Sequence, residues 1–396
     1  MNDEDSSLPT NEPLTGSDLE DHFGEDLKAG EQARRHQERA ARRDLSHVFR
    51  SVGRWEWLDC DPPPARPLVK LPSGAPWLPR GKVGMLAAPG GVGKSQALIQ
   101  LALCVACGPD SERKWLGHFD IPPEARGPVV LALGEEGQRD CHRRIRHVVD
   151  GLGYTDDECE AVRRNLYTLP LAGRPSALLD DPGRLVRSLR DTYPQGPPQH
   201  ELKRASIGHT EQVATWRKLL EAPPGGDEGR EWKTIILDPA SRFIGPEAEQ
   251  DNAVATRFVE ILEDWALTAF GDQDVGPSVL FSHHVKKSST DSPKALLHDQ
   301  GAARGSSGLT DGVRWQANMA VHEFKEHGET SDVVGLNVVK SNNGPPGDKT
   351  FLKRTKHGVL AYDTYGAQKF YDNGDEDTDD RFAGNDNENR YAGKDL

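Results

Sequence analysis

One stretch of this sequence dictates more of its fold than any other: Ala88-Pro-Gly-Gly-Val-Gly-Lys94-Ser95, set between an apolar run and a helical pattern. Lys82–Ala87 is short and apolar enough for a buried strand, and Ala97, Leu98, Leu101, Ala102 and Val105 recur at helical spacing. A glycine-rich turn between strand and helix lets backbone N–H groups close on phosphate oxygens, and the helix N-terminus adds its positive dipole end. Pro89, Gly90, Gly91, Val92, Gly93 and Gln96 are the expected cradle. Lys94 would reach the outer phosphates and Ser95 would hold Mg²⁺. Alanine stands at 88, where such loops usually begin with glycine. The pattern implies a bound nucleoside triphosphate.

Further apolar runs place that loop in an α/β fold. Pro128–Leu133, Thr234–Leu237 and Ser278–Phe281 read as buried strands, and Arg139–Leu152 as a helix. Strands alternating with helices imply a mainly parallel, doubly wound sheet. Segments 313–321, 333–340 and 349–362 alternate as antiparallel strands at a sheet edge would. Residues 193–232 hold two Pro/Gly-rich stretches around a short amphipathic piece, which suggests a surface insertion.

Charge is unevenly distributed. The formal net charge is −14, yet residues 1–27 hold nine carboxylates and no Lys or Arg, and residues 372–396 are net −6. The 344 residues between them therefore carry about +1, leaving room for a local basic channel. Both acidic ends have the composition of disordered segments. Residues 31–49 suit a highly charged helix and 62–67 a stiff Pro-rich linker, so 1–68 is expected to precede an ordered domain at 69–371. No apolar run approaches the roughly 20 residues of a membrane span. Five scattered cysteines suit reduced thiols in a cytoplasm, and the Cys104-x-x-Cys107 pair on the apolar helix suits core packing better than zinc.

Carboxylates and histidines close the other strands. Asp238 stands where a metal-side acid would follow the strand 234–237. Glu135-Glu136 ends the second strand, where one of them could deprotonate a water; the same pair also suits a solvated turn. Ser282-His283-His284 ends the fourth, at the edge where open α/β sheets bind ligands.

With these motifs the chain resembles plasmid-type RepA replicative helicases of the RecA-like hexameric ATPase group. The likeness covers residues 78–362 and rests on the loop 88–95, on PVVLALGEE (128–136), TIILDPASRF (234–243) and LFSHHVKK (280–287), and above all on AARGSSGLTDGVRWQ (302–316) and VVKSNNGPPGDKTFLK (338–353). It implies that Lys94 and Ser95 bind phosphates and Mg²⁺, that Asp238 is the second metal-side acid, and that Glu135 is the general base. Arg144 would be a further phosphate-side cation, and His283 or His284 would sense the terminal phosphate. Arg314 would be an arginine finger for the neighbouring subunit, with Lys340 facing the same nucleotide; Asn342 stands where related helicases often carry a second cation. Single-stranded DNA would meet Arg242, Lys286, Lys287 and Lys294. Arg304 suits a loop anchor as well as a phosphate contact.

The implied activity is an ATP-driven ring helicase, hexameric and cytoplasmic, serving plasmid, phage or mobile-element replication. The N-terminal extension has no counterpart in that resemblance and could recruit a primase, an initiator or a single-strand-binding protein. A recombination or repair ATPase without processive unwinding, or a regulatory ATPase switch, uses the same residues.

Overall fold

A computed structural model describes residues 61, 66–179, 193, 195, 210–221, 231–245, 252–268, 276–286, 292–305, 307–326, 329–342 and 344–371. Apart from Asp61 these belong to one unit, Ala65–Leu396. Expectations for residues 1–60 and 372–396 and for Lys287 lie outside the described residues.

Eleven strands are described. A short hairpin, β1 (Pro67–Lys70) with β2 (Pro76–Pro79), stands apart from a nine-stranded sheet. That sheet is built from β3 (Val83–Ala88), β4 (Val129–Leu133), β5 (Leu166–Pro170), β6 (Thr234–Asp238), β7 (Ser278–His284), β8 (Trp315–Glu326), β9 (Glu329–Ser341), β10 (Thr350–Arg354) and β11 (Leu360–Tyr362). Their order is β11-β10-β9-β8-β3-β7-β6-β4-β5. From β8 to β5 every neighbouring pair is parallel, and from β8 to β11 every pair is antiparallel. The fold is thus α/β with a mainly parallel sheet and an antiparallel C-terminal edge, as the sequence implies.

The longer helices are α1 (Lys94–Ala106), α2 (Gln138–Leu152), α3 (Asp156–Asn165), α4 (Glu211–Glu221) and α5 (Asn252–Thr268). Side-chain alternation along the strands explains why both faces of the sheet are covered. Leu86, Leu131, Leu133, Ile236 and Leu280 join the cluster packed around α1. Met85, Val130, Ile235, Leu237 and Phe281 join the one packed on α5. Helix α1 is buried almost all round, which accounts for its apolar composition. Cys104 and Cys107 lie in that core, where burial pushes their thiols up to about 12 and about 11.

Two elements differ from the sequence reading. The amphipathic piece within 193–232 is α4, and it is no surface excursion: Trp216 is buried and stacks on Trp265 of α5 at 5.1 Å. Trp232 is likewise buried, so aromatic burial outweighs the polar, Pro/Gly-rich flanks. The second difference is α3 with β5, which adds a parallel strand beyond β4. It begins with a capping box in which Thr155 Oγ1 accepts from the Glu158 N–H and Glu158 Oε2 accepts from the Thr155 N–H.

Candidate nucleotide site

The chain leaves β3, turns through the loop into α1, and next enters the sheet at β4, with β7 and β6 in between. The C-terminal ends of β3, β7, β6 and β4 therefore share one sheet edge, beside the point where the connection changes direction. Parallel register aligns Ala87 with His283, Ala88 with His284 and Leu133 with Asp238. Nonlocal pairing thus brings together Lys94, Glu135, Asp238 and the Ser282–His284 segment.

Within the loop, Gly91 and Gly93 have φ of 77° and 114°, conformations that L side chains rarely adopt. Around Gly90 and Gly91 a Cβ would meet nothing within 4 Å, so the loop's outer surface is open. Lys94 is buried, and its ammonium donates to the carbonyls of Ala88 and Pro89, each at 2.8 Å. Burial lowers its pKa to about 8 against the opposing pull of Asp238 and Glu135. Gln96 Nε2, at the start of α1, is buried without a hydrogen-bond partner among the described residues.

Asp238 is buried, and one carboxylate oxygen accepts a hydrogen bond from Ser282 Oγ. The role of Ser282 depends on β6 and β7 being neighbours, which no local pattern in the sequence reveals. Ser95 and Asp238 supply a hydroxyl and a carboxylate, hard oxygen donors suited to Mg²⁺. Among the described residues no group of three His, Cys, Asp or Glu could hold a metal alone. One hydroxyl and one carboxylate would fill only part of the octahedral shell of Mg²⁺ and leave positions for water and phosphate oxygens.

Strand alternation separates the two histidines. Ser282 and His284 share the face of Leu280, which packs toward α1, whereas His283 lies on the other face. His283 is fully buried, and its Nε2 is 2.8 Å from the carbonyl oxygen of Arg304. Arg304 in turn donates its N–H to the His284 carbonyl at 2.8 Å, so its backbone is an anchor. A bridge between Val285 and Ala303 and the Lys286 N–H on the Ala302 carbonyl close the base of the segment between them. Lys286 is exposed, and Lys294 sits 5.6 Å above the Tyr371 ring.

Three of the expected site residues make contacts within the chain. Glu135 is exposed and pairs with Arg242 Nε at 3.2 Å, so Arg242 stands beside the acid. Gly134 makes that approach feasible, since a Cβ there would come within 2.7 Å of Arg242 Cβ. Arg144 pairs with Glu136 at 2.6 Å. Lys340 donates to the carbonyls of Thr310 and Asp311, at 2.7 and 2.8 Å, at the end of the turn Ser307–Gly312. Its pKa is lowered by burial, with Arg314 adding to that and Asp311 opposing it.

Arg314 lies at the opposite edge of the sheet from the loop. Its N–H donates to the carbonyl of Val83, the first residue of β3, while the loop follows the last, Ala88. Five residue steps of strand separate the two by about 16 Å, beyond the reach of an arginine side chain. Its guanidinium is half exposed and 3.9 Å from Glu263 Oε1.

A family model described as an AAA domain matches residues 45–290, more than half of the chain. The chain belongs to the AAA domain family. The open glycine loop, buried lysine and buried Asp238 lie within that match and make it an ATPase-type domain. Among solved structures the chain is similar to another ATPase domain, at 11% identity over 71% of this chain and 85% of that one, with a TM-score of 0.41. A likeness that loose bears on neither activity nor partners.

Proposed function

We propose that this AAA domain is a ring-forming ATP-driven motor of the replicative-helicase type, which hydrolyses ATP between subunits and moves along single-stranded DNA. The observation that carries the reading is the separation of Arg314 from its own phosphate loop. A half-exposed arginine that cannot reach its own nucleotide is available to the next subunit's.

In this scheme Lys94 would exchange its two loop carbonyls for phosphate oxygens, and Ser95 and Asp238 would hold Mg²⁺, with Ser282 fixing the Asp238 carboxylate. Magnesium, when bound, offsets phosphate charge. Glu135 takes the proton of the attacking water once its exposed pair with Arg242 opens, which costs little because surface pairs are worth only about 0–1 kcal/mol. Arg314 from the neighbour stabilises charge on the transferred phosphoryl group, so turnover requires assembly. His284, on the same face as Ser282, reads the terminal phosphate, and His283 passes the change to Arg304 and the segment bearing Lys286 and Lys294. Those lysines meet the DNA backbone without regard to sequence. Lys340 acts beside Arg314. The setting is cytoplasmic replication of a plasmid, phage or mobile element, and the N-terminal extension recruits a primase or initiator.

The test combines ATPase rate with and without single-stranded DNA, strand displacement on forked DNA, and solution mass. DNA-stimulated hydrolysis and displacement by a hexamer support the motor. Hydrolysis by a ring that displaces nothing would replace it with a regulatory switch, and a filament with a repair ATPase.

A further inference from the structure

Arg354, the last residue of β10, grips the phosphate loop from behind, on the side away from its open surface. Its Nη2 donates to the carbonyls of Gly91 at 3.1 Å and Val92 at 2.8 Å, and its Nε donates to Asp332 Oδ2 of β9 at 2.5 Å. Both side chains of that ion pair are about three-quarters buried, so the contact is shielded from solvent. Against the same side, a Cβ at Gly93 would meet Leu360 Cδ1 at 3.2 Å and Arg354 Nη1 at 3.4 Å. Strands β10 and β11 thus form a wall behind the loop.

Peptide planarity gives this contact a consequence. In a trans peptide the C=O of one residue and the N–H of the next point in opposite directions. A guanidinium that fixes the Gly91 and Val92 carbonyls toward the wall therefore turns the Val92 and Gly93 N–H groups away from it, toward the open side. Those are the donors a phosphate cradle needs, and the left-handed glycines alone would leave their direction free. Asp332 holds the guanidinium in place, and the planar fork spans two carbonyls and a carboxylate at once.

We infer that Arg354, held by Asp332, is a positioning residue that presets the phosphate loop for the polyphosphate of a nucleotide. The inference rests on the reading of residues 88–95 as the nucleotide site.

The test measures Mg·ADP and Mg·ATP binding by the full chain, with steady-state kinetics and the melting temperature of nucleotide-free protein alongside. Arg354→Gln is expected to weaken both nucleotides about tenfold and to raise KM with kcat little changed, because the preset cradle serves ground and transition states alike. Arg354→Lys, which keeps the charge but loses the fork, recovers less than half of that loss. Asp332→Asn weakens binding less than Arg354→Gln does and has no further effect in the Arg354→Gln background. Wild-type affinity in Arg354→Gln, full recovery in Arg354→Lys, or additive losses would each overturn the inference. Should Arg354→Gln fail to fold, Asp332→Asn at an unchanged melting temperature carries the same decision. Failure of the unmodified chain to bind either nucleotide would instead overturn the site itself.

Discussion

The two edges of the parallel sheet are built differently. At the C-terminal edge of the strands, Lys94, Asp238 and Ser282 are buried, with Lys94 held by loop carbonyls and Asp238 by Ser282. At the other edge Arg314 is half exposed with a 3.9 Å ion partner, and Lys340 rests on backbone carbonyls. One edge holds a cradle with its polar groups already oriented, and the other holds two cations, Arg314 paired loosely with Glu263 and Lys340 seated on the Thr310 and Asp311 carbonyls. Under the proposed scheme the contrast separates binding from catalysis: the loop would bind nucleotide within one chain and would turn it over only with a neighbour's arginine.

The widest break in that contrast comes from Lys94→Ala. It should remove ATP hydrolysis altogether, and a coupled phosphate-release assay that still shows turnover would refute the cradle. Arg314→Ala tests the opposite edge: nucleotide binding should survive while turnover falls about 10³-fold, the usual cost of a missing arginine finger. Mixing it with Glu135→Ala subunits should restore part of the rate, and verified mixed rings without recovery would return Arg314 to a structural role.

Ser282→Ala sharpens the cradle side. Without its donor the Asp238 carboxylate loses orientation, and the Mg²⁺ dependence of hydrolysis should shift about tenfold to a hundredfold toward higher metal. An unchanged Mg²⁺ titration would show that Asp238 needs no such support.

The smallest expected effect follows from Lys94 itself. Its pKa is depressed to about 8, so the ammonium is progressively lost above that pH and phosphate affinity falls by up to about tenfold per pH unit. Between pH 8 and 10.5 the unfolded chain holds more protons at this residue than the folded one, so the nucleotide-free protein gains stability as pH rises through that window. Calorimetry at about pH 8.5, just above the depressed value, should register proton uptake on ATP binding. Equal heats in buffers of different ionisation enthalpy would contradict the buried, partly neutral lysine.

What could be read from the residues in advance was local. The glycine loop with its strand and helix, the buried runs ending in Glu135, Asp238 and His284, and the alternating C-terminal segments are all short-range patterns. What escaped depends on which strands become neighbours. Ser282 gains its role only because β7 lies beside β6, and Arg354 only because β10 and β11 flank the loop. Trp216 sits among polar and Pro/Gly-rich neighbours that hide a core residue. The Thr155-x-x-Glu158 box was legible in principle, as a helix start that marks α3. The distance between Arg314 and the loop could not be read from sequence, since it follows from the parallel pairing of β8 with β3.

That pairing has a mechanical side. Strand β8 is bonded to β3 on one side and to β9 on the other, along twelve residues of ladder on the latter. Strands in such a seam cannot creep past each other, because a slip of one residue turns every side chain to the wrong face. Arg314 and the start of the phosphate loop are therefore opposite ends of one stiff rod. If a neighbouring subunit loads the guanidinium, as proposed, the paired strands offer the shortest covalent and hydrogen-bonded route from that contact to the phosphate loop.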